Sequence, residues 1–193
     1  MDIETVKAFE SNDLNKIKEL DRTYIRKILF SSYSNIANII LPTISQEAFE
    51  IILDKIDESD FIVLAYIIAK ERSDRADLIE RLYQDLGKRI LTLDMICVAI
   101  ESKNENIVSF LVEKKEFQTT EVLFLIDVAL EKASPRIARV VVYKSNINLN
   151  FINTDKVLDL LDGYVNLREL LRELLESEFN KGKKIQVKKL REL

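Results

Sequence analysis

Between Ala99 and Asn150 the alternation of apolar and polar positions is written twice. AIESKNENIVSFLVEKK begins at Ala99 and ALEKASPRIARVVVYKS begins at Ala129. Laid over each other, Ala99 meets Ala129, Ile107 meets Ile137 and Val112 meets Val142. Each copy reads as the apolar end of one helix, a short polar turn, and a second helix with apolar residues at i, i+1, i+4 and i+5. Two helices of that length cannot bury their apolar faces alone, so the copies are expected to stack on each other.

The same phrase recurs along the chain with lower fidelity. Ala8-Phe9, then Asn12 as N-cap and Asp13 beside it, lead into Leu14–Leu20, and Ser45 caps Gln46–Leu53. The apolar run FIVLAYIIA, Phe61–Ala69, reads as a buried helix; a polar stretch from Lys70 to Asp77 and a second helix from Leu78 follow it. In the fifth copy Ser134-Pro135 is a helix start signal, a cap followed by proline at the first helical position. A sixth copy runs from Val157 through Gly163 to Leu171. Equivalent second-helix positions are Ile17, Phe49, Ile79, Val108, Ala138 and Arg168, at intervals of 32, 30, 29, 30 and 30. The least regular segment, TYIRKILFSSYSNIANII, holds either a first helix with a long lead-in or an extra short helix, and Pro42 should end whatever precedes it. Both end copies carry polar second helices, as terminal repeats should.

These patterns predict an all-α chain, a helical-repeat solenoid of about six helix pairs over residues 1–180, followed by a basic tail, 181–193. With no Gly/Ser- or Pro-rich linker there is no reason to divide it further. Five Gly and Pro in 193 residues disfavour an all-β chain, and 47% apolar beside 32% charged residues is a globular composition. The net charge of −4 hides an asymmetry: KGKKIQVKKLREL carries six Lys/Arg against one Glu, a local +5 that leaves −9 on the rest. The single Cys97 rules out an intrachain disulfide, and MDIETVKAFE does not read as a signal peptide, so an intracellular, cytoplasmic location is expected. FIVLAYIIA is too short to span a bilayer, so no membrane role is expected. The richness in Ile, Lys and Asn fits an AT-rich coding sequence, viral ones included.

Ala99-Ile100-x-x-Lys103-x-x-x-Ile107-Val108-x-x-Leu111-Val112-x-x-Lys115 resembles the helical half of an ankyrin repeat, Ala-Ala-x-x-Gly-x-x-x-Ile-Val-x-x-Leu-Leu-x-x-Gly. The fifth copy matches at Ala129-Leu130, Ala133, Ile137-Ala138 and Val141-Val142, and Ile147-Asn148 is similar to the dipeptide that closes many of those repeats. Gly163 falls where the family places its inter-helix glycine. The Thr-Pro-Leu-His tetrapeptide is absent, with Asp94-Met95-Ile96-Cys97 in its place, and most finger-shaping glycines are missing. The resemblance therefore implies ankyrin-like helix pairs with short turns in place of full β-hairpins, and a protein-binding, scaffold-like role for the concave, first-helix face. A HEAT-like helical solenoid is the structural alternative, although its units are longer.

Candidate chemistry is sparse. With no histidine to serve as base, Cys97 reads as a buried, inert thiol. Asp155, Asp159 and Asp162 share a helix face but read as ordinary helix-start and solvent-facing acids, and no Gly-rich phosphate loop or Cys/His metal spacing occurs. No catalytic, metal or cofactor site is therefore expected. The expected partner is another protein, contacted at Glu10, Ser11, Glu101, Ser102, Glu131 and Lys132, with Asp127 exposed at the groove or paired with Lys132 or Arg136. The alternative is a nucleic-acid-associated regulator using Lys181, Lys183, Lys184, Lys188, Lys189 and Arg191 of the basic tail to neutralise phosphates. Self-assembly through an unfinished end repeat is a third reading.

Overall fold

A computed structural model of the protein describes residues 3–30 and 37–145, and among these every regular element is helical. In chain order they are α1 (Ile3–Glu10), α2 (Leu14–Glu19), α3 (Arg22–Phe30), α4 (Ala37–Ile40), α5 (Gln46–Lys55), α6 (Glu58–Lys70), α7 (Ala76–Leu86), a 3₁₀ turn (Gly87–Ile90), α8 (Leu93–Glu101), α9 (Glu105–Lys114), α10 (Thr119–Lys132) and α11 (Pro135–Lys144). The sixth copy, Asp155, Asp159 and Asp162, the Ile147-Asn148 dipeptide and the basic tail lie outside the described residues.

Helices of four to fourteen residues are marginal in isolation, so each must be held by its neighbours. Along the chain, α6 packs on α7, α8 on α9 and α10 on α11. Across it, α6 packs on α8 and α8 on α10, while α7 packs on α9 and α9 on α11. The apolar stripe of each helix faces this packing. Leu64, Ala65, Ile68 and Ala69 of α6 are buried, as are Met95, Ile96, Ala99 and Ile100 of α8 and Leu125, Ile126 and Ala129 of α10. Ile107, Val108, Leu111 and Val112 of α9 do the same from the other side. The second helices begin at residues 14, 46, 76, 105 and 135, and Ile17, Phe49, Ile79, Val108 and Ala138, each the fourth residue of its helix, are at most 1% exposed.

The amino-terminal part departs from this order. TYIRKILFSSYSNIANII contains an extra helix, α3, begun by the Asp21 carboxylate accepting the Tyr24 N–H at 2.8 Å, and a four-residue α4 that stops two residues before Pro42. Here α1 packs on α2 and α4, while α3 contacts α4, α5 and α6. Asp57 and Asp60, at the start of α6, pair with Arg22 and Arg26 of α3.

Three expectations need correction. The N-cap of α2 is Asp13, which accepts from Lys16 N–H, and Asn12 sits one residue earlier at φ +51. The run FIVLAYIIA is buried along one stripe only, since Val63 is 48% exposed. Cys97 is half-buried, because it falls beside the Met95–Ile96–Ala99–Ile100 stripe and packs against its edge. Ser45 and Ser134 cap their helices as expected, accepting from Ala48 N–H at 3.1 Å and Ile137 N–H at 3.3 Å.

Side chains 31 to 35 residues apart stitch several of the turns to one another. Asn12 accepts the Ser45 N–H at 2.6 Å and donates to the Thr43 carbonyl at 3.2 Å. Arg75, at the N-cap position of α7, reaches back to the Leu41, Pro42 and Ile44 carbonyls at 3.1, 3.2 and 3.0 Å. Its guanidinium also holds Asp77, whose carboxyl is kept below its ordinary value chiefly by that hydrogen bond. Asn104, at the N-cap position of α9, donates from its side-chain amide to the Ala69 and Glu71 carbonyls at 2.8 and 2.5 Å and is 1% exposed. Asp74 performs the capping that Asn104 does not: its carboxylate accepts the Asn106 N–H at 2.9 Å and the Ile107 N–H at 3.1 Å. One unit therefore supplies the cap of the next, satisfying orphan donors at the helix start from outside the helix.

Candidate interaction face

Once the core stripe of each first helix is fixed, the opposite side of α6, α8 and α10 is fixed with it. Positions i, i+3, i+4 and i+7 of a helix share a face. On α6 these are Val63, Tyr66, Ile67 and Lys70; on α8, Asp94, Cys97, Val98 and Glu101; on α10, Phe124, Asp127, Val128 and Glu131. None of the twelve is fully buried, and Val63 and Phe124 are 48% and 49% exposed. Because α6 packs on α8 and α8 on α10, the three rows lie side by side. The Tyr66 hydroxyl, 3.5 Å from the Thr92 hydroxyl that caps α8, spans the first gap. The field of Glu101 reaches Lys132 across the second.

The face mixes apolar and charged positions along its length. Seven of the twelve side chains are apolar, four are carboxylates and one, Lys70, is basic. At the margin, Lys132 pairs with Glu131 at 2.5 Å, which raises the lysine's pKa through the hydrogen bond first and the charge second. The Cys97 thiol is pushed up by burial, and further by the Asp94 and Glu101 carboxylates, so it stays protonated at neutral pH and is a poor nucleophile.

Glu101, Asp127 and Glu131 thus stand on one surface, with Lys132 beside them and Ser102 half-buried where α8 ends. Asp127 is half-buried, between full exposure and the core. Glu10 and Ser11 are exposed at the end of α1, which packs on α2 and α4, and the Ser11 hydroxyl is turned back onto the Lys7 carbonyl at 2.6 Å. The apolar members of the face went unassigned from sequence, although a signal for them exists. A nine-residue uninterrupted apolar run such as Phe61–Ala69 exceeds what one stripe can bury, so part of it must face outward.

Other chemistry is thin. Among the described residues no three of His, Cys, Asp and Glu stand together as metal ligands would. A shallow depression between α5, α6 and α7 includes Leu53, Phe61 and Arg81, but Arg81 is already held by Glu50 at 2.5 Å and Asp85 at 2.6 Å. No helix among the described residues is long and apolar enough to cross a membrane. The chain matches no protein-family model, no curated protein and no solved structure. Its likeness to ankyrin repeats rests on its own residues.

Proposed function

We propose that the protein is an interaction module, a solenoid of ankyrin-like helix pairs that binds another protein through the outward face of its first helices and performs no catalysis of its own. An intracellular location belongs to the same reading. The carrying observation is the set of partly exposed apolar side chains on α6, α8 and α10, with Asp94, Glu101, Asp127 and Glu131 among them. Apolar side chains left half in water on adjacent helices lower their free energy when a partner covers them. The stitched turns support the solenoid part of the proposal, because side-chain bonds 31 to 35 residues apart recur at the turns before α5 and α9.

The test uses Val63→Asp with Phe124→Asp, and Ile39→Asp as an exposed apolar control away from the face, at 42% exposure. Proteins captured from the native host by the wild type should be lost, by about tenfold or more in recovered amount, with the face variant and kept with the control. Capture that the face variant leaves intact, with both variants giving wild-type circular-dichroism melts, would remove the proposal.

A further inference from the structure

We infer, on the reading that the first-helix face is the binding surface, that its partner is a protein segment of arginine or lysine interleaved with apolar residues, whose cations lie over α8 and α10. The two sides of the helix pairs treat charge differently. On the second helices acids are matched from unit to unit: Glu50 pairs with Arg81 at 2.5 Å, Glu105 with Arg136 at 2.7 Å and Glu113 with Lys144 at 2.9 Å. On the first helices Asp94, Glu101, Asp127 and Glu131 stand against Lys70, with Lys132 at the margin. Of these four acids only Glu131 has a cation, Lys132; among the described residues the other three make no ion pair or side-chain hydrogen bond. This side of the protein is left with negative charge to be matched from outside.

The placement of the acids among apolar side chains says what else the partner carries. Ile67, Val98 and Val128 hold the same register on their helices, each half-buried and directly before a buried residue, Ile68, Ala99 and Ala129. About one turn further on come Lys70, Glu101 and Glu131. Packed helices lie roughly 8–10 Å apart, so a segment crossing from α8 to α10 meets an apolar contact and a carboxylate on each. At the same register on α6 it meets Lys70, which marks where its basic stretch ends. Asp127 is half-buried, so its carboxylate has given up part of its water without gaining a cation, and a charge-assisted bond from the partner makes good that loss. Phe124, 49% exposed, stands on the same side of α10 three residues earlier. A guanidinium can lie over such a ring while bonding a carboxylate, which favours arginine at this point.

Fluorescence anisotropy with the full chain tests this, using labelled synthetic peptides that alternate Arg with Leu, Glu with Leu, and Arg with Ser. The Arg–Leu peptide should bind about tenfold or more tightly than either of the others, and added salt should weaken it. Glu101→Lys with Glu131→Lys should weaken its binding by about tenfold, and Asp127→Asn by about threefold. Glu47→Lys with Glu80→Lys, at exposed acids of α5 and α7, changes the net charge equally and should leave affinity within about twofold. If a melt shows that the reversal on the face unfolds the protein, Glu101→Gln with Glu131→Gln replaces it, with a loss of about threefold. No binding, equal binding of the Arg–Ser or Glu–Leu peptide, or an equal loss in the Glu47 and Glu80 pair would overturn the inference. So would a dimer in sedimentation that the reversal on the face dissociates, since a second copy would then be the occupant. Host capture lost at Val63 and Phe124 without a preference for the Arg–Leu peptide leaves the face standing and removes the basic partner. Peptide preference with capture unchanged keeps the basic-segment site and removes its role in that capture.

Discussion

The turn between α8 and α9 and the turn between α10 and α11 occupy equivalent places in the chain but are held by different chemistry. At the first, Asn104 is buried and gives both amide hydrogens to carbonyls of the preceding unit, while Asp74 of that unit caps α9. At the second, Ser134 caps its own helix, and surface ion pairs tie α11 back to α9, Arg136–Glu105 at 2.7 Å and Lys144–Glu113 at 2.9 Å. A buried amide bonded to backbone resists water and salt; an exposed ion pair does not. Regular spacing in sequence therefore conceals unequal coupling between units.

Substitution at the two equivalent positions should expose that inequality most strongly. Asn104→Ala leaves the Ala69 and Glu71 carbonyls without that donor and should cost about 2–4 kcal/mol in urea unfolding, against about 1 kcal/mol for Ser134→Ala, which removes a local cap alone. Equal losses would mean that the bridge adds nothing to a cap.

The residue before each cap sharpens the comparison. Asn12, Asp74 and Lys103 adopt φ +51, +50 and +64. That region costs a residue with a Cβ about 1–2 kcal/mol. Lys103→Gly should therefore raise stability by about 1 kcal/mol, while Asp74→Gly should lower it by about as much, because the lost cap outweighs the relieved strain. A rise in both cases would show that Asp74 caps nothing.

The smallest effect belongs to the ion-paired end. Lys144 holds the Glu113 carboxyl below its ordinary value, first by a hydrogen bond and then by charge. A depressed folded-state pKa contributes stability above the unfolded value, and that contribution is lost as pH falls through the folded one. Hydrogen-exchange protection of α11 should therefore decline below about pH 4.5, and also in high salt, relative to the bridged turn of α9. Uniform decline along both helices would erase the distinction.

Much of the fold was legible because repetition is a statement about packing. The second-helix starts at 46, 105 and 135 and the buried fourth residues follow from spacing alone. Lys103 takes a left-handed turn, φ +64, although it carries a Cβ, which its residue type does not announce. Glu101 and Glu131 drew attention in the sequence because charge follows an apolar pair there, and Asp127 because it interrupts the run VLFLIDVAL; all three lie on the candidate face. The apolar half of that face was not legible, because a run such as Phe61–Ala69 does not say which members the core takes.

Sequence by itself determined the helical period and Ser45 and Ser134 as caps, since these depend on residues within about one turn of each other. Only the tertiary structure decided that Asp74 caps the following unit while Asn104 reaches back to the preceding one, and that Val63 and Phe124 remain at the surface. Those outcomes are set by residues far apart in sequence, 32 to 35 positions in the case of Asp74 and Asn104, where the competition for each hydrogen bond and each buried site is settled by neighbouring helices.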